Sequence, residues 1–292
     1  MITRRTSERR MFLRPDREVT NALGYIVGYQ QQRYRFDLHT FIAMSNHKHS
    51  QMRDRSGNLD HSETANIERD MNSLIARALN CYRDRSENLW ASGGRTFNFV
   101  ETPRSGDQIL RMVYQLHNPV EAELVDDFRK WPGLLLEPGP SGERLYRFRR
   151  PDFFFSADMP EEVAVRVTAP TVAGLTPRQV MDEVYRLARQ KRDEVRARVA
   201  LSGRRFLGRR GVLRQDPNAA ASTPETAVRL RPRYATDDRE LRLELILRDS
   251  DWLVAHRLAL NLFRAGDRNA IFPHATFQAV EDYRLDCILD PG

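Results

Sequence analysis

The chain has 292 residues, of which 40% are hydrophobic and 30% are charged, and its formal net charge is +7 at pH 7. This composition is ordinary for a soluble globular protein, and the lack of any run of about 18 apolar residues excludes a transmembrane helix. The length exceeds that of one typical domain, so we expect two folded units. No apolar block follows the early arginines, which argues against a secretory signal and predicts a cytoplasmic protein.

Cysteine and arginine usage narrows the chemistry further. Cys81 and Cys287 are the only cysteines and lie far apart, which predicts neither a disulfide scaffold nor a zinc finger. Nearly all basic side chains are arginine, whose fork binds phosphate through two hydrogen bonds. The charge favours a polyanionic partner, but it fits an arginine-rich solvated surface equally well.

The spacing of apolar residues predicts five elements before residue 83. They are a strand at 2–6, a helix after Pro15-Asp16 to about Gln31, strands at 36–44 and 47–53, and a helix capped by Ser62 that ends near Tyr82. Residues 88–101 fit a strand pair or a bent strand, broken at Gly93-Gly94. This order predicts an α+β fold in which helices cover an antiparallel sheet.

A further helix is predicted from Gly106, capped by Ser105, to about His117. We expect it to end or turn at Asn118, because Pro119 restricts the residue before it. Trp131-Pro132-Gly133 then closes the first predicted unit.

Beyond residue 133 the pattern changes. Arginines alternate with aromatic residues between 144 and 155, which fits either a surface for single-stranded nucleic acid or, as we favour, a strand with a buried aromatic face. A long helix from Thr176-Pro177 to about 201 and a basic run at 204–214 follow, and two or three short helices are expected after 238. The predicted divisions are 1–133, an arginine-rich extension at 134–215, a linker at 216–236 and a small helical region at 237–292.

Two short motifs carry the candidate chemistry. His47 and His49 alternate on a strand and so share one face, where both imidazoles can hold one metal ion. Tyr114 and Asn118 are spaced i, i+4 on a helix and also share a face, so the tyrosine can act as a nucleophile beside a further metal ligand. A His-x-His pair alone is more often structural. For His39 we expect a packed or solvated imidazole.

Several segments together resemble a known family. They are Phe12-Leu13-Arg14, the AMSNHKH segment, the NSLIARALN helix, Trp90, and MVYQLHNPVEAELV before Trp131-Pro132-Gly133. In this order they resemble the REP-associated tyrosine transposases, which are single-tyrosine members of the HUH endonuclease and transposase superfamily. The resemblance covers about residues 1–133.

The resemblance implies a ferredoxin-like antiparallel sheet, with the histidine pair on a central strand and the tyrosine on a facing helix. It also implies cleavage of single-stranded DNA beside small hairpins with Mg²⁺ or Mn²⁺. Carried over by motif, His47, His49 and Asn118 are the metal ligands, and Tyr114 is the nucleophile that forms a 5′-phosphotyrosine intermediate.

The chain departs from the family at Lys48, where a bulky apolar residue is usual, and at Ser45, Glu121 and Glu123. Lys48 is expected to point to the face opposite the histidines, which leaves the packing beneath it in question. His117 is expected at a helix end, where its charge would complement the helix dipole.

The leading hypothesis is a metal-dependent tyrosine transposase that binds single-stranded or hairpin DNA, associated with the nucleoid and acting as a monomer or homodimer. The residues predicted to bind DNA are Arg4, Arg5, Arg147, Arg149, Arg209 and Arg210. The alternatives are a single-stranded nucleic-acid-binding protein without activity and a phosphoesterase that uses water.

Overall fold

The computed structural model describes residues 1–55, 63–92, 97–99, 105–222, 234–236, 238–274 and 276–288. The chain divides into two compact units, the first formed by Met1–Arg53 with Ile67–Ala235 and the second by Asp54–Asn66 with Thr236–Gly292. In the ranges given above, no helix is long and apolar enough to cross a membrane.

A mixed sheet organises the first unit. Its strands are β1 (Ile2–Arg5), β2 (Phe36–Ala43), β3 (His47–Asp54), β4 (Phe97–Phe99), β5 (Leu135–Leu136), β6 (Glu143–Arg149) and β7 (Glu162–Thr168). They lie in the order β4-β1-β3-β2-β7-β6, and β5 pairs with β2. The α+β prediction is confirmed, but the sheet is not wholly antiparallel. The antiparallel pair of β6 and β7 joins the sheet through β7, which runs parallel to β2.

Helices cover both faces of this sheet. They are α1 (Arg17–Arg33), α2 (Thr64–Tyr82), α3 (Ser105–Glu121), α4 (Pro177–Leu201) and the short α5 (Gly208–Leu213). Apolar residues of α1 and α2 share one core cluster with β2 and β7, whereas those of α3 and α4 form a second cluster. The approach of α1 is close, since a Cβ on Gly28 would lie 2.6 Å from a methyl group of Val163.

Several predicted helix boundaries agree with the structure. Asp16 caps α1 by accepting a hydrogen bond from the Val19 amide at 2.8 Å, and α2 ends at Tyr82 as expected. Thr176 and Gln179 form the capping box at the start of α4. The predicted cap at Ser62 and the break at Gly93-Gly94 lie outside the described residues.

The end of α3 differs from the prediction. The helix continues through Pro119 to Glu121 instead of ending at Asn118. A proline removes one helical hydrogen bond, but here it does so in the last turn. Leu116 and Val120 on either side are fully buried, so packing holds the turn in helical form. Asn118 is therefore presented from within the helix.

Residues 134–215 lie in the same compact unit as the N-terminal strands, so the predicted boundary after residue 133 does not coincide with a division between units. The alternation at 144–150 corresponds to strand β6. Phe148 packs against the core, while Arg147 and Arg149 are exposed, as the favoured strand interpretation expects. Strands β6 and β7 of this region complete the sheet, and their apolar residues pack in one core cluster with those of α1.

The start of the predicted linker is bound to the first unit. The Met11 amide donates to the carbonyl of Ala219 at 3.0 Å, and the Ala221 amide donates to the carbonyl of Arg9 at 3.2 Å. These backbone contacts hold residues 219–221 against the N-terminal segment.

The second unit is helical, as predicted, but one helix in it is longer than expected. Helix α6 (Arg239–Arg264) has 26 residues and α7 (Phe277–Tyr283) has 7. A small cluster of Ala259, Phe272 and Leu285 forms its core.

Candidate functional site

The histidine pair lies at the start of β3. In the register between β1 and β3, Thr3 is opposite His49 and Arg5 is opposite His47. The two imidazole rings are 4.8 Å apart between centroids and meet edge to face. Strand alternation therefore brings them together as the sequence predicts.

Each imidazole is oriented through its Nδ1 atom. The Nδ1 of His47 lies 2.7 Å from the side-chain oxygen of Asn46, which only accepts hydrogen bonds, so this Nδ1 carries the proton. The Nδ1 of His49 lies 2.7 Å from the hydroxyl of Thr3. When both protons are on Nδ1, both Nε2 atoms keep a lone pair, which is the tautomer that metal ligation requires.

Helix α3 brings the other two predicted residues to the pair. The side-chain amide of Asn118 lies 3.0 Å from Nε2 of His49. The same side chain acts on the pKa values of His47 and of Tyr114, so it lies near both. The ring of Tyr114 is 5.5 Å from that of His49, and its side chain is 46% exposed. The structure thus assembles all four residues around one amide.

The electrostatics keep both histidines neutral. Burial lowers the pKa of His47 to about 4, helped by the positive charge of Arg5. Burial also lowers the pKa of His49 well below its ordinary value, and the neighbouring His47 and Lys48 act in the same direction. Neutral imidazoles are the form that binds a cation.

Tyr114 experiences opposing influences. Burial raises the pKa of the phenol, although the residue as a whole is 46% exposed. The charge of Arg111, one turn earlier on α3, and the side chain of Asn118 lower that pKa. A phenol of this kind needs added positive charge at the scissile phosphate to react near neutral pH.

The donor set fits a small divalent ion. Two adjacent octahedral ligands at about 2.1 Å from an ion are about 3.0 Å apart. That is the observed separation between Asn118 and His49, and a half-turn of the amide would present its oxygen to the same place. Among the described residues, no group of three or more His, Cys, Asp or Glu side chains is placed to hold a metal. A metal ion held by this histidine pair would need its third protein ligand from another residue type, and the Asn118 amide is placed to supply it.

The opposite face of β3 holds a buried ion pair. Lys48 is 1% exposed, and its ammonium lies 2.8 Å from the carboxylate of Glu68 on α2, which is 3% exposed. Ser50 donates to the same carboxylate at 3.1 Å and Asn72 donates at 3.0 Å. The lysine that departs from the family pattern therefore has a matching acid beneath it.

Sequence reasoning missed Glu68 as this partner. The available signal was its position on α2, seven residues before the buried Ile75 and three before Met71, so it shares their apolar stripe. A buried acid on such a stripe needs a buried partner of opposite charge. Lys48 was the candidate in the strands, because it stands where the resembled family usually has an apolar residue.

The predicted DNA-binding arginines separate into three places. Arg5 lies beside the histidine pair, and its charge acts on His47. Arg4 is opposite Lys48 in the register and interacts with Glu68, so alternation turns it away from Tyr114. The others are far along the chain. Arg147, Arg149 and Arg209 line one cleft, whereas the neighbouring Arg210 is exposed and does not line it.

The remaining histidines near the site have structural contacts. The Nδ1 of His39 lies 2.8 Å from the carbonyl of Thr168, and burial lowers the pKa of this imidazole. His39 is therefore packed, which is one of the two arrangements expected for it from the sequence. His117 is buried inside α3, 3.8 Å from Glu121, and burial lowers its pKa as well. Because α3 extends past it, His117 does not lie at the helix end as predicted.

Comparison with protein-family models, with curated proteins and with solved structures gave no match to this chain.

Proposed function

We propose that the protein is a metal-dependent tyrosine nuclease and strand transferase that acts on single-stranded DNA, of the single-tyrosine HUH type. The observation that carries the proposal is the clustering of four side chains: Asn118 lies 3.0 Å from Nε2 of His49, and the His49 ring contacts the rings of His47 and Tyr114. A nucleophile and a set of metal ligands that share one side chain would act on the same phosphate.

The topology supports the same proposal. The strands and α-helices up to β4 follow the order β1-α1-β2-β3-α2-β4, and these strands lie in the order β4-β1-β3-β2. This is the split βαβ arrangement of ferredoxin-like folds. The histidines lie on an inner strand and the tyrosine on a facing helix, as the family resemblance implies.

In this proposal His47, His49 and Asn118 hold Mg²⁺ or Mn²⁺, which when bound supplies positive charge to the scissile phosphate. The hydroxyl oxygen of Tyr114 forms a bond to phosphorus and loses its proton. The bond from phosphorus to the 3′ oxygen breaks, and that oxygen takes up a proton. The 5′-phosphate remains on Tyr114, which conserves the bond for attack by a second 3′-hydroxyl without a nucleotide cofactor.

In this proposal two arginines assist the reaction of Tyr114 with the phosphate. Arg111 lowers the pKa of Tyr114 and so favours loss of its proton. Burial, with a contribution from the charge of Arg5, keeps His47 neutral at the pH where the tyrosine must react. Both arginines place positive charge near the phosphate, where negative charge develops.

The proposal is tested with Tyr114→Phe. The full-length protein is incubated with a 5′- and 3′-labelled single strand carrying a hairpin in the presence of Mn²⁺, and the covalent adduct is measured by denaturing gel electrophoresis. We expect an adduct with the unmodified protein and with Tyr82→Phe, whose tyrosine is exposed elsewhere on the first unit. The Tyr114→Phe variant should form none. An undiminished adduct would contradict the assignment of the nucleophile.

A second candidate, a non-catalytic nucleic-acid-binding protein, is favoured by one observation. Burial raises the pKa of Tyr114, which opposes its reaction, while arginines gather at a separate cleft. Salt-sensitive binding of single strands without any cleavage in Mn²⁺ would support this candidate. Hydrolysis without an adduct, unaffected by Tyr114→Phe, would indicate a phosphoesterase that uses water.

A further inference from the structure

A cleft of about 720 Å³ lies in the first unit, bordered by the start of α1, the end of β6 and α5. The described residues of its lining include none from the Tyr114 site. They comprise five arginines and three carboxylates, which leaves an excess of positive charge. The arginines are Arg17, Arg147, Arg149, Arg150 and Arg209.

Three of these arginines are available to a ligand. Arg147 is engaged with Glu162 at 2.9 Å. Within the part of the chain that the structure describes, the guanidinium groups of Arg17, Arg149 and Arg209 make no ion pair. All three are exposed and come from three different elements. Guanidinium groups that converge without an acid partner favour a phosphate ligand, because each can donate two parallel hydrogen bonds to it.

The acidic residues of the lining reduce the positive charge of the cleft less than their number indicates. Asp16 caps α1, and its carboxylate lies 2.9 Å from Arg14 and 3.7 Å from Arg83. Neither arginine lines the cleft, so the charge of Asp16 is compensated by groups outside the cleft. The available arginines are then opposed chiefly by Glu18 and Asp152.

The lining offers charge but no open aromatic ring. Among the described residues of the lining, Phe148 is the one aromatic residue, and its ring packs against α1 so closely that a Cβ on Gly24 would lie 2.2 Å from it. Sites for single strands combine basic grooves with rings on which bases stack. Contacts to a duplex are made mostly to phosphates. The lining therefore matches a base-paired backbone better than an unpaired strand.

We propose that this cleft binds phosphate groups on the backbone of base-paired DNA, while the single strand to be cut lies at Tyr114. The identity of the nucleic acid rests on the proposed function. The cleft itself is a separate site, since Arg17, Arg149 and Arg209 reach its ligand without any contribution from the residues around Asn118.

The test compares the binding of a short labelled duplex and of one of its single strands by fluorescence anisotropy over a range of salt concentrations. The full-length Tyr114→Phe protein is used throughout, so that no cleavage occurs. Arg149→Ala/Arg209→Ala removes two cleft arginines. Arg178→Ala/Arg189→Ala is the matched control, because it removes two exposed arginines from α4 that make no ion pair among the described residues.

We expect the cleft variant to bind the duplex about tenfold more weakly than the control variant. The slope of log affinity against log salt should fall by about 2, for two lost phosphate contacts. The single strand should lose clearly less. A charge-conserving variant, Arg149→Lys/Arg209→Lys, should keep the salt slope and recover part of the affinity, which separates loss of contact from loss of folding.

The proposal is overturned if the cleft and control variants bind the duplex equally, or if duplex and single strand lose the same affinity. It is also overturned if inorganic phosphate occupies the cleft without weakening the binding of the duplex. That result would indicate a site for small anions. Failure of the proposed tyrosine chemistry leaves these results unaffected, since binding is measured without Tyr114.

Discussion

The two faces of β3 differ in their electrostatics, although the residues concerned are one position apart. On the face toward α3, His47 and His49 are held neutral, and their rings meet at 4.8 Å. On the face toward α2, Lys48 is fully buried and makes an ion pair with Glu68 at 2.8 Å. One face keeps lone pairs available to a cation, and the other compensates a charge completely.

The difference shows how one strand can be fixed through one face and carry two neutral imidazoles on the other. A buried ion pair costs much to break, so it fixes the position of β3 against α2. The polar atoms on the histidine face are instead held through Nδ1 contacts to Thr3 and Asn46. The buried pair supports the strand, and the histidine face stays ready for a ligand.

The largest expected effect comes from breaking the ion pair on one side. Glu68→Leu leaves the Lys48 ammonium buried without its carboxylate, and we expect a loss of roughly 3–5 kcal/mol in the free energy of unfolding. Urea denaturation measures it. Glu194→Leu, at an exposed site on α4, removes the same charge and should change stability by no more than about 0.5 kcal/mol.

The double variant Lys48→Met/Glu68→Leu sharpens this result. Replacing both charges with apolar groups removes the unpaired ammonium, so the double variant should be more stable than Glu68→Leu alone. If the stability lost by the double variant equals the sum of the losses of Lys48→Met and Glu68→Leu measured singly, the two side chains do not interact as the structure describes.

Much of the site follows from local periodicity. The alternation of a strand places His47 and His49 on one face, and the i, i+4 spacing of a helix places Tyr114 beside Asn118. Both patterns depend on residues close in sequence, so they can be recognised without knowing how the chain folds. The same holds for the N-terminal cap at Asp16 and the capping box of α4.

What could not be predicted depends on distant contacts. Glu68 becomes the partner of Lys48 only when α2 packs on β3, and Arg209 joins Arg149 only when α5 lies beside β6. The continuation of α3 past Pro119 likewise depends on burial of its last turn, which outweighs the local effect of proline.

A second prediction concerns the pH dependence of the metal-free protein. In the unfolded chain the imidazole of His47 takes up a proton near pH 6.5, whereas in the folded protein its pKa is about 4. Between these values the unfolded state binds more protons, so the free energy of unfolding falls as the pH decreases, by up to roughly 3 kcal/mol. His49 acts in the same direction.

Urea denaturation at several pH values between 7.5 and 4 measures this dependence. His47→Gln removes one of the titrating groups and should flatten the profile in the acidic range. A profile with the same slope in the variant would show that the charge of His47 does not contribute to folding.

The smallest effect tests the contact that orients His49. Thr3→Val removes the hydroxyl 2.7 Å from Nδ1, so the ring loses the partner that fixes its tautomer. Outer contacts of this kind typically contribute about 10- to 100-fold to metal affinity. We therefore expect Mn²⁺ affinity, measured by calorimetry, to fall within that range while the fold is retained. Thr40→Val is the matched control, because its buried hydroxyl has no hydrogen-bond partner among the described residues. Equal affinities in the two variants would mean that the neutral face of β3 does not need its Nδ1 contacts, and that burial alone keeps the histidines ready for a cation.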